Sequence, residues 1–409
     1  MEYEVSLTAL TYGGDALGRL PDGKAVFVPF ALPGEKVRLR IKEEKRGYAR
    51  GELLEVIQPA VERIRPRCLH YTVCGGCHYQ HLAYESQLAV KAAIVSDQLK
   101  RIAGVDAKIA AVAPSPSEWY YRNTVQFHLT PEGKLGFLAP DSHTVIPISE
   151  CHLPEGALNE LWPQLEFEAG TGLERVELRL GGAEETMLVL EGNEPDAPEF
   201  STDLPVSAVY CGSDGEARVL AGDQDLVMQS GGRAFQVSAQ SFFQVNTHQA
   251  RAMADFLLAR LPLHRTATLL DVYCGVGFFS AFVAPHVGKV VGVELSPSAC
   301  EDFAVNLDEF DNVDLFVGAA EDVLSDLELQ PDIAIIDPPR AGMAPAALQA
   351  LLALQPAVIA YVSCDLATLA RDTRRLIQDG YHLEEVTPFD LFPQTYAIET
   401  VSLFKRGMD

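Results

Sequence analysis

Between Ala267 and the C-terminus, short β-branched apolar runs alternate with segments of helical period. That alternation admits little besides a doubly wound, mostly parallel sheet with helices on both faces. The first run, from Thr268, enters a glycine loop, Tyr273-Cys-Gly-Val-Gly277. The others are Val290–Glu294, Asp314–Val317, Asp332–Ile336 and Ala357–Val362, with a sixth near Leu383–Val386 and a last over Glu399–Phe404. A glycine loop at a helix start lets a cofactor approach the backbone, and the second run ends in an acid 17 residues past Gly277, placed to accept from ribose hydroxyls. This pair suits either NAD or S-adenosylmethionine. The fourth run ends in Asp337-Pro-Pro-Arg-Ala-Gly342, which is either a plain turn or a rigid corner holding an acid and carbonyls above the sheet. The fifth ends in Ser363-Cys364-Asp365, followed by a helical pattern carrying Leu366, Leu369 and Leu376. Open α/β sheets place their chemistry at these strand ends, so Cys364 is expected to titrate low beside a helix N-terminus and act as a nucleophile. The competing reading is a cysteine that fills core space.

At 409 residues the chain has room for two or three domains, and 48% hydrophobic with 22% charged residues is ordinary for a globular protein. The start has no basic-then-apolar leader and no uncharged apolar run reaches 18 residues, so a cytoplasmic protein without a membrane span is expected. The net charge of −25 argues against a general nucleic-acid glove, but residues 1–67 carry +2 and the remainder −27. Lys36–Arg50 holds seven basic residues against Glu43 and Glu44, a modest footprint for a phosphate backbone or, equally, a solvated strand face.

Residues 1–60 read as a small β-barrel, with strand-like runs Val5–Leu10, Ala25–Val28, Lys36–Ile41 and Gly51–Ile57 between glycine and proline turns. Compact barrels of this kind often bind looped RNA. Next come Cys68, Cys74 and Cys77, the last two separated by Gly75-Gly76, with Cys151 the most plausible fourth ligand of a four-thiolate site. Clustering of this kind in a cytosolic protein points to a metal centre rather than disulfides, and spacing alone leaves zinc and an iron–sulfur cluster equally open. The glycines are expected to let backbone approach the metal. Leu82–Ile102 has helical spacing, Tyr120 to about Val237 reads mainly as strands and turns, and Asn193–Pro205 is a loop. Gln240-Ser-Phe-Phe-Gln-Val-Asn246, whose apolar residues suit a core better than a pocket, leads into a helix from about Ala250 to Leu261.

Gly13–Arg19 with Val28–Glu35 resembles the TRAM domain of RNA-modifying enzymes. That pattern, the four cysteines, Phe242-Phe-Gln-Val-Asn246, Asp271-Val-Tyr-Cys-Gly-Val-Gly-Phe278, Gly292-Val-Glu294, Asp337–Gly342, Ser363–Asp372 and Phe392-Pro-Gln-Thr-Tyr-Ala-Ile-Glu399 follow in order. Together they resemble the RNA uracil-5 methyltransferase family, in particular its iron–sulfur branch acting on 23S ribosomal RNA, over nearly the whole chain. The resemblance implies a Rossmann-like class I S-adenosylmethionine-dependent methyltransferase domain over 238–409. It also implies a TRAM/OB-like RNA-binding barrel over 1–60 and a β-rich central domain over 61–237, whose helix 82–102 is free to pack on the catalytic domain. It implies Cys364 as the nucleophile adding to uracil C6, Glu399 as the base removing the C5 proton, and Gln244, Tyr273, Glu294 and Asp337 around S-adenosylmethionine. Cys68, Cys74, Cys77 and Cys151 would hold a [4Fe-4S] cluster outside the methyl transfer itself. The family's antiparallel seventh strand would set Glu399 beside Cys364. The implied partner is RNA, ribosomal before transfer RNA, with no membrane and no obligate protein partner. Phe278, Leu366 and Ala397 depart from the family's pattern, as does the acidic body. A transfer RNA methyltransferase and a non-catalytic RNA-binding factor are the alternatives, the latter disfavoured because both Cys364 and Glu399 are present. An NAD dehydrogenase is a distant reading that leaves Ser-Cys-Asp unexplained.

Overall fold

The computed structural model describes residues 1–407. Five strands, β1 (Glu2–Leu10), β2 (Ala16–Arg19), β3 (Ala25–Val28), β4 (Lys36–Glu44) and β5 (Tyr48–Gln58), close into a barrel in the order β1-β2-β3-β5-β4. Alternation drives it: Val5, Leu7, Val26, Val28, Val37 and Leu39 point inward and are buried. Strand β2 was absent from the expected set because a four-residue run after two glycines carries little period. Its Gly18 is nevertheless required, since a Cβ there would come within 2.6 Å of Val5. The basic face of β4 is largely neutralised. Lys36 pairs with Glu4, Arg38 with Glu4 and Glu55, Arg40 with Glu2 and Glu52, Lys42 with Glu52, Lys45 with Glu43, and Arg50 with Glu43 and Asp141. Between the two readings of this segment, the geometry favours the solvated, ion-paired strand face.

Helix α1 (Tyr84–Gln98) continues through a π turn, Leu99–Ala103, and stops at Gly104, whose φ of 76° is left-handed. Its Ile94, Val95 and Leu99 are buried against one face of the C-terminal sheet. The central sheet contains β6 (Thr124–Leu129), β7 (Leu135–Leu138), β8 (Val145–Pro147), β9 (Leu173–Leu180), β10 (Thr186–Gly192), β11 (Ser207–Cys211) and β12 (Ala217–Ala221), in the order β12-β11-β10-β9-β6-β7-β8. Strands β10 and β11 are parallel, which is why the proline-rich segment 193–205 between them is long. Helix α2 (Gly156–Leu161) packs Leu158 and Leu161 onto this sheet. A hairpin of β13 (Asp225–Ser230) and β14 (Arg233–Ser238) leads to α3 (Thr247–Arg260), capped by the Asn246 side chain accepting from Gln249 N.

The C-terminal sheet comprises β15 (Thr268–Val272), β16 (Lys289–Glu294), β17 (Val313–Val317), β18 (Ile333–Ile336), β19 (Val358–Ser363), β20 (Tyr381–Phe389) and β21 (Glu399–Arg406). Their order is β17-β16-β15-β18-β19-β21-β20, with β21 antiparallel to both neighbours and the other pairings parallel. Helices α4 (Phe278–Val283), α5 (Pro297–Asn306), α6 (Ala320–Asp326), α7 (Pro345–Leu354) and α8 (Leu366–Gln378) connect the strands. Strands β18 and β19 are buried at every position, which explains their uninterrupted apolar sequence. Leu366, Leu369 and Leu376 lie on the buried face of α8, each contributing about 1.5–3 kcal/mol by removal from water. The edge strand β20 is covered by residues 109–113, where Ile109 bridges Val386 and Ala113 bridges Phe389. No helix among the described residues is long and apolar enough to cross a membrane.

Candidate active site

The register of β19 and β21 decides what meets at the sheet's edge. Ser363 pairs with Thr400, so the next residue of one strand, Cys364, stands beside the preceding residue of the other, Glu399. Asp337 leaves β18 at the same edge, its amide donating to Val272 O at 3.2 Å. Cys364 is half-buried and Glu399 is 4% exposed. Burial, reinforced by the nearby Glu399 and Asp337 carboxylates and opposed by Arg340, pushes the Cys364 thiol up to about 12. Against the expectation of a low-titrating thiol, these surroundings push it upward. The helix that should lower it is capped by the Asp365 carboxylate, which accepts from Thr368 N at 2.8 Å and cancels the favourable end of α8. Glu399 and Asp337 are also raised above ordinary carboxyl values, first by burial and then by neighbouring carboxylates, Asp337 acting on Glu399 and Asp271 on Asp337. Each therefore binds a proton more tightly than an ordinary carboxylate does.

The glycine loop lies one strand away. Tyr273 takes a left-handed φ of 64°, Gly275 54° and Gly277 86°. A Cβ on Gly275 would meet nothing within 4 Å, so the backbone there faces open space. Glu294 at the end of β16 is locked before any ligand arrives: it accepts from Gly275 N at 2.9 Å, Leu295 N at 2.7 Å and Ser296 N at 2.8 Å. Below the loop, buried Asp271 accepts from Ser280 Oγ at 2.6 Å. Phe278 turns away into the aromatic core with Phe235, Phe243 and Phe282, so its departure from the family's pattern leaves the open side of the loop clear. Leu366 is likewise core. Gln244 is half-buried, with its carbonyl accepting from Asn123 Nδ2 at 3.0 Å. The neighbouring phenylalanines divide: Phe243 is core as expected, whereas Phe242 is 70% exposed.

The strand leading to Glu399 is preceded by a loop, 390–398, fastened from three sides. Buried Lys91 on α1 pairs with buried Asp390 at 2.6 Å and donates to Phe392 O at 3.1 Å. Gln87 donates to Gln394 Oε1 at 3.0 Å and accepts from Gln394 N at 3.1 Å. His78 N and Tyr79 N, next to Cys77, both donate to Gln394 O at 2.9 Å.

Comparison with known proteins now decides the family. Residues 222–407 match the family profile described as tRNA (Uracil-5-)-methyltransferase, and residues 1–54 match the TRAM domain. A protein of Nostoc sp. named an uncharacterized RNA methyltransferase is 33% identical, covering 99% of this chain and 97% of its own. Another so named, from Halalkalibacterium halodurans, is 34% identical over 98% of this chain and 96% of its own. The chain belongs to the RNA (uracil-5-)-methyltransferase family. The methyltransferase shares its fold with the Pyrococcus abyssi tRNA (uracil-54, C5)-methyltransferase solved with S-adenosyl-L-homocysteine, at a TM-score of 0.74 and 24% identity, covering 98% of this chain and 100% of that one. The C-terminal sheet thus has an S-adenosylmethionine-dependent methyltransferase-like fold, behind a five-stranded TRAM barrel.

In this methyltransferase Cys68, Cys74, Cys77 and Cys151 line one cavity of about 290 Å³, together with Arg122 and Gln80. Burial pushes Cys77 up to about 12 and Cys151 up to about 11. Among the described residues no three His, Cys, Asp or Glu side chains are grouped to hold a single metal ion. At Gly75 a Cβ would come within 2.8 Å of Leu138 O, so glycine lets the cysteine loop lie against the end of β7. Sequence reasoning missed Tyr12, whose hydroxyl reaches from the barrel to Asp365 Oδ2 at 2.8 Å, and Arg340, the cation opposing the carboxylates around Cys364. It passed over Gln87 and Lys91 as well. No local pattern announces a contact that spans domains.

Proposed function

We propose that this methyltransferase modifies C5 of a uridine in 23S ribosomal RNA through a covalent adduct between Cys364 and uracil C6. The adjacency of Cys364 with Glu399, from the β19–β21 register, and with Asp337 at the end of β18 supports the adduct most. Uracil C5 is a poor nucleophile until a sulfur adds at C6 and leaves an enolate-like carbon. In the free protein Cys364 keeps its proton. On substrate entry the proton passes to Asp337, whose carboxyl is pushed up to about 7 by burial and by Asp271, and this leaves the Glu399 carboxylate for the later step. The thiolate bonds to C6, and C5 takes the methyl group. Glu399 then removes the C5 proton, the electron pair restores the C5–C6 double bond, and the Cys364 thiolate leaves and recovers a proton from the pair. The C5 proton is the one finally lost to solvent.

S-adenosylmethionine supplies the methyl group when bound. The open face of Gly275 leaves room for it, Glu294 keeps acceptor capacity for the ribose beyond its three amide bonds, and Tyr273, Gln244 and Asp337 would line the remainder. For the cysteine cavity we favour a [4Fe-4S] cluster over zinc. Cys68, Cys74, Cys77 and Cys151 line one space, and their spacing with Gly75-Gly76 resembles the iron–sulfur site of RNA uracil-5 methyltransferases. The cluster's part is to hold 68–77 against 151 and thereby the loop that meets Gln394.

Labelled methyl transfer to ribosomal RNA and transfer RNA, followed by nuclease mapping, tests the reading. Label as 5-methyluridine in a 23S fragment is expected. Label confined to transfer RNA would leave the mechanism and overturn the substrate.

A further inference from the structure

The paired charges on β4 leave open where substrate RNA grips the protein outside the reacting pocket. Arg65 and Arg67, in the segment between barrel and cysteine loop, contrast with that strand. Both are exposed and neither has a carboxylate within ion-pair distance among the described residues, whereas Arg63 beside them is tied to Glu35. Arg67 instead lies over two aromatic rings, 5.5 Å from the Trp119 centroid and 5.2 Å from that of Tyr120, and donates to the Tyr120 hydroxyl at 3.1 Å. His152 Nδ1 closes the group at 3.0 Å from the same hydroxyl. The nearby carboxylate, Glu150, is held by Leu69 N at 2.6 Å and lies 3.5 Å from His152.

Tyr120 is presented outward at some cost. Its φ of 55° is left-handed, a strained backbone for a residue with a Cβ, yet the residue is 41% exposed. The backbone is pinned by Tyr120 N donating to His152 O at 2.9 Å and Arg122 N to Leu153 O at 3.0 Å. The next two residues turn inward to the loop that leads to Glu399: the Tyr121 hydroxyl donates to Pro393 O at 3.1 Å, and Arg122 lies 5.6 Å from the Phe392 ring. A strand resting on residues 119–120 is therefore led toward the active site.

We propose that Trp119, Tyr120 and Arg67, with Arg65, form a stacking platform for a single-stranded segment of the substrate RNA, separate from the pocket for the target uridine. This rests on the RNA-substrate reading above. Tyr120 is exposed and Trp119 half-buried. Bases stack on such aromatic faces without sequence preference, and an arginine lying over rings rather than paired with a carboxylate keeps its charge for phosphate.

The chain has two tryptophans, Trp119 and the buried Trp162, so Trp162→Phe leaves Trp119 as the reporter. Titration of this variant with a single-stranded RNA lacking uridine should quench its emission to saturation. Trp119→Ala with Tyr120→Ala should weaken substrate RNA binding at least tenfold with S-adenosylmethionine binding unchanged. Arg67→Lys, which keeps the charge and the fold, should weaken it severalfold. Arg38→Ala with Arg40→Ala should change it less than twofold. Unchanged Trp119 emission at saturating RNA, or wild-type RNA affinity in the Arg67→Lys and double aromatic variants, would overturn the platform while leaving the methyltransferase reading intact. A wild type that binds no RNA would overturn both.

Discussion

The molecule holds cysteines in two very different settings. Cys364 sits half-buried at a strand end among groups that can take its proton, Glu399 and Asp337, with Arg340 nearby. Cys77 and Cys151 are raised chiefly by burial, in a cavity whose lining includes the cation of Arg122. Both environments disfavour a free thiolate, but beside Cys364 stand two carboxylates that themselves bind protons tightly, Glu399 and Asp337, whereas the carboxylate lining the second, Glu150, is held below the ordinary carboxyl range by the Leu69 amide. The first setting suits reversible addition to carbon. The second suits permanent ligation, where a metal replaces the protons. On the roles proposed above, a nucleophile would differ from a ligand in the neighbour that accepts its proton rather than in the acidity of the resting thiol.

The largest effect that could break this contrast is loss of Cys364. Cys364→Ala should abolish labelled methyl transfer, a fall of at least about 10³-fold, while Cys211→Ser should leave it near wild type. Glu399→Gln should slow turnover about 10²–10⁴-fold and, unlike Cys364→Ala, accumulate a methylated protein–RNA adduct on denaturing gels. Absence of that adduct would remove Glu399 from the role of base.

The two settings are mechanically joined through Gln394, and this connection can be cut. Gln87→Ala removes two of its hydrogen bonds and should lower kcat several-fold with partial adduct accumulation and little change in KM. Lys91→Met leaves Asp390 buried without its cation and should cost about 3–5 kcal/mol of stability, read as a lower midpoint in denaturant. A Gln87→Ala variant with wild-type kcat would show that the loop needs no such brace.

A smaller effect follows from the carboxylate pair. Because both pKa values are raised, the ionised form needed to accept a proton is lost as pH falls through a range above that of ordinary carboxyls. Single-turnover rates should therefore decline from pH 8 toward pH 5.5 rather than hold flat to pH 4.5. Tyr12→Phe, which removes one hydrogen bond to Asp365, should be milder still, about 1–2 kcal/mol in stability.

Much of this was legible beforehand. Strands β15 to β19 are apolar on both faces, so their sequences declare them, and the order of loops at their ends follows. What was not legible is what comes from elsewhere in the chain. The acids that neutralise β4 lie largely on β1 and β5, so the local excess of positive charge was misleading. Glu399 beside Cys364 was expected from the resemblance, but not that its carboxylate, with Asp337 from the end of β18, would push the thiol up. Tyr12 and Gln87 carry no periodic signal at all. Their contacts cross more than 300 residues of sequence.

The most direct test of the central claim uses RNA in which the target uridine carries fluorine at C5. Glu399 cannot remove fluorine as a proton, so the adduct cannot resolve. After incubation with S-adenosylmethionine and nuclease trimming, mass spectrometry should find a methylated fluorouridine nucleotide on the peptide containing Cys364. No adduct, or one on a cysteine of the 68–77 loop, would contradict the account.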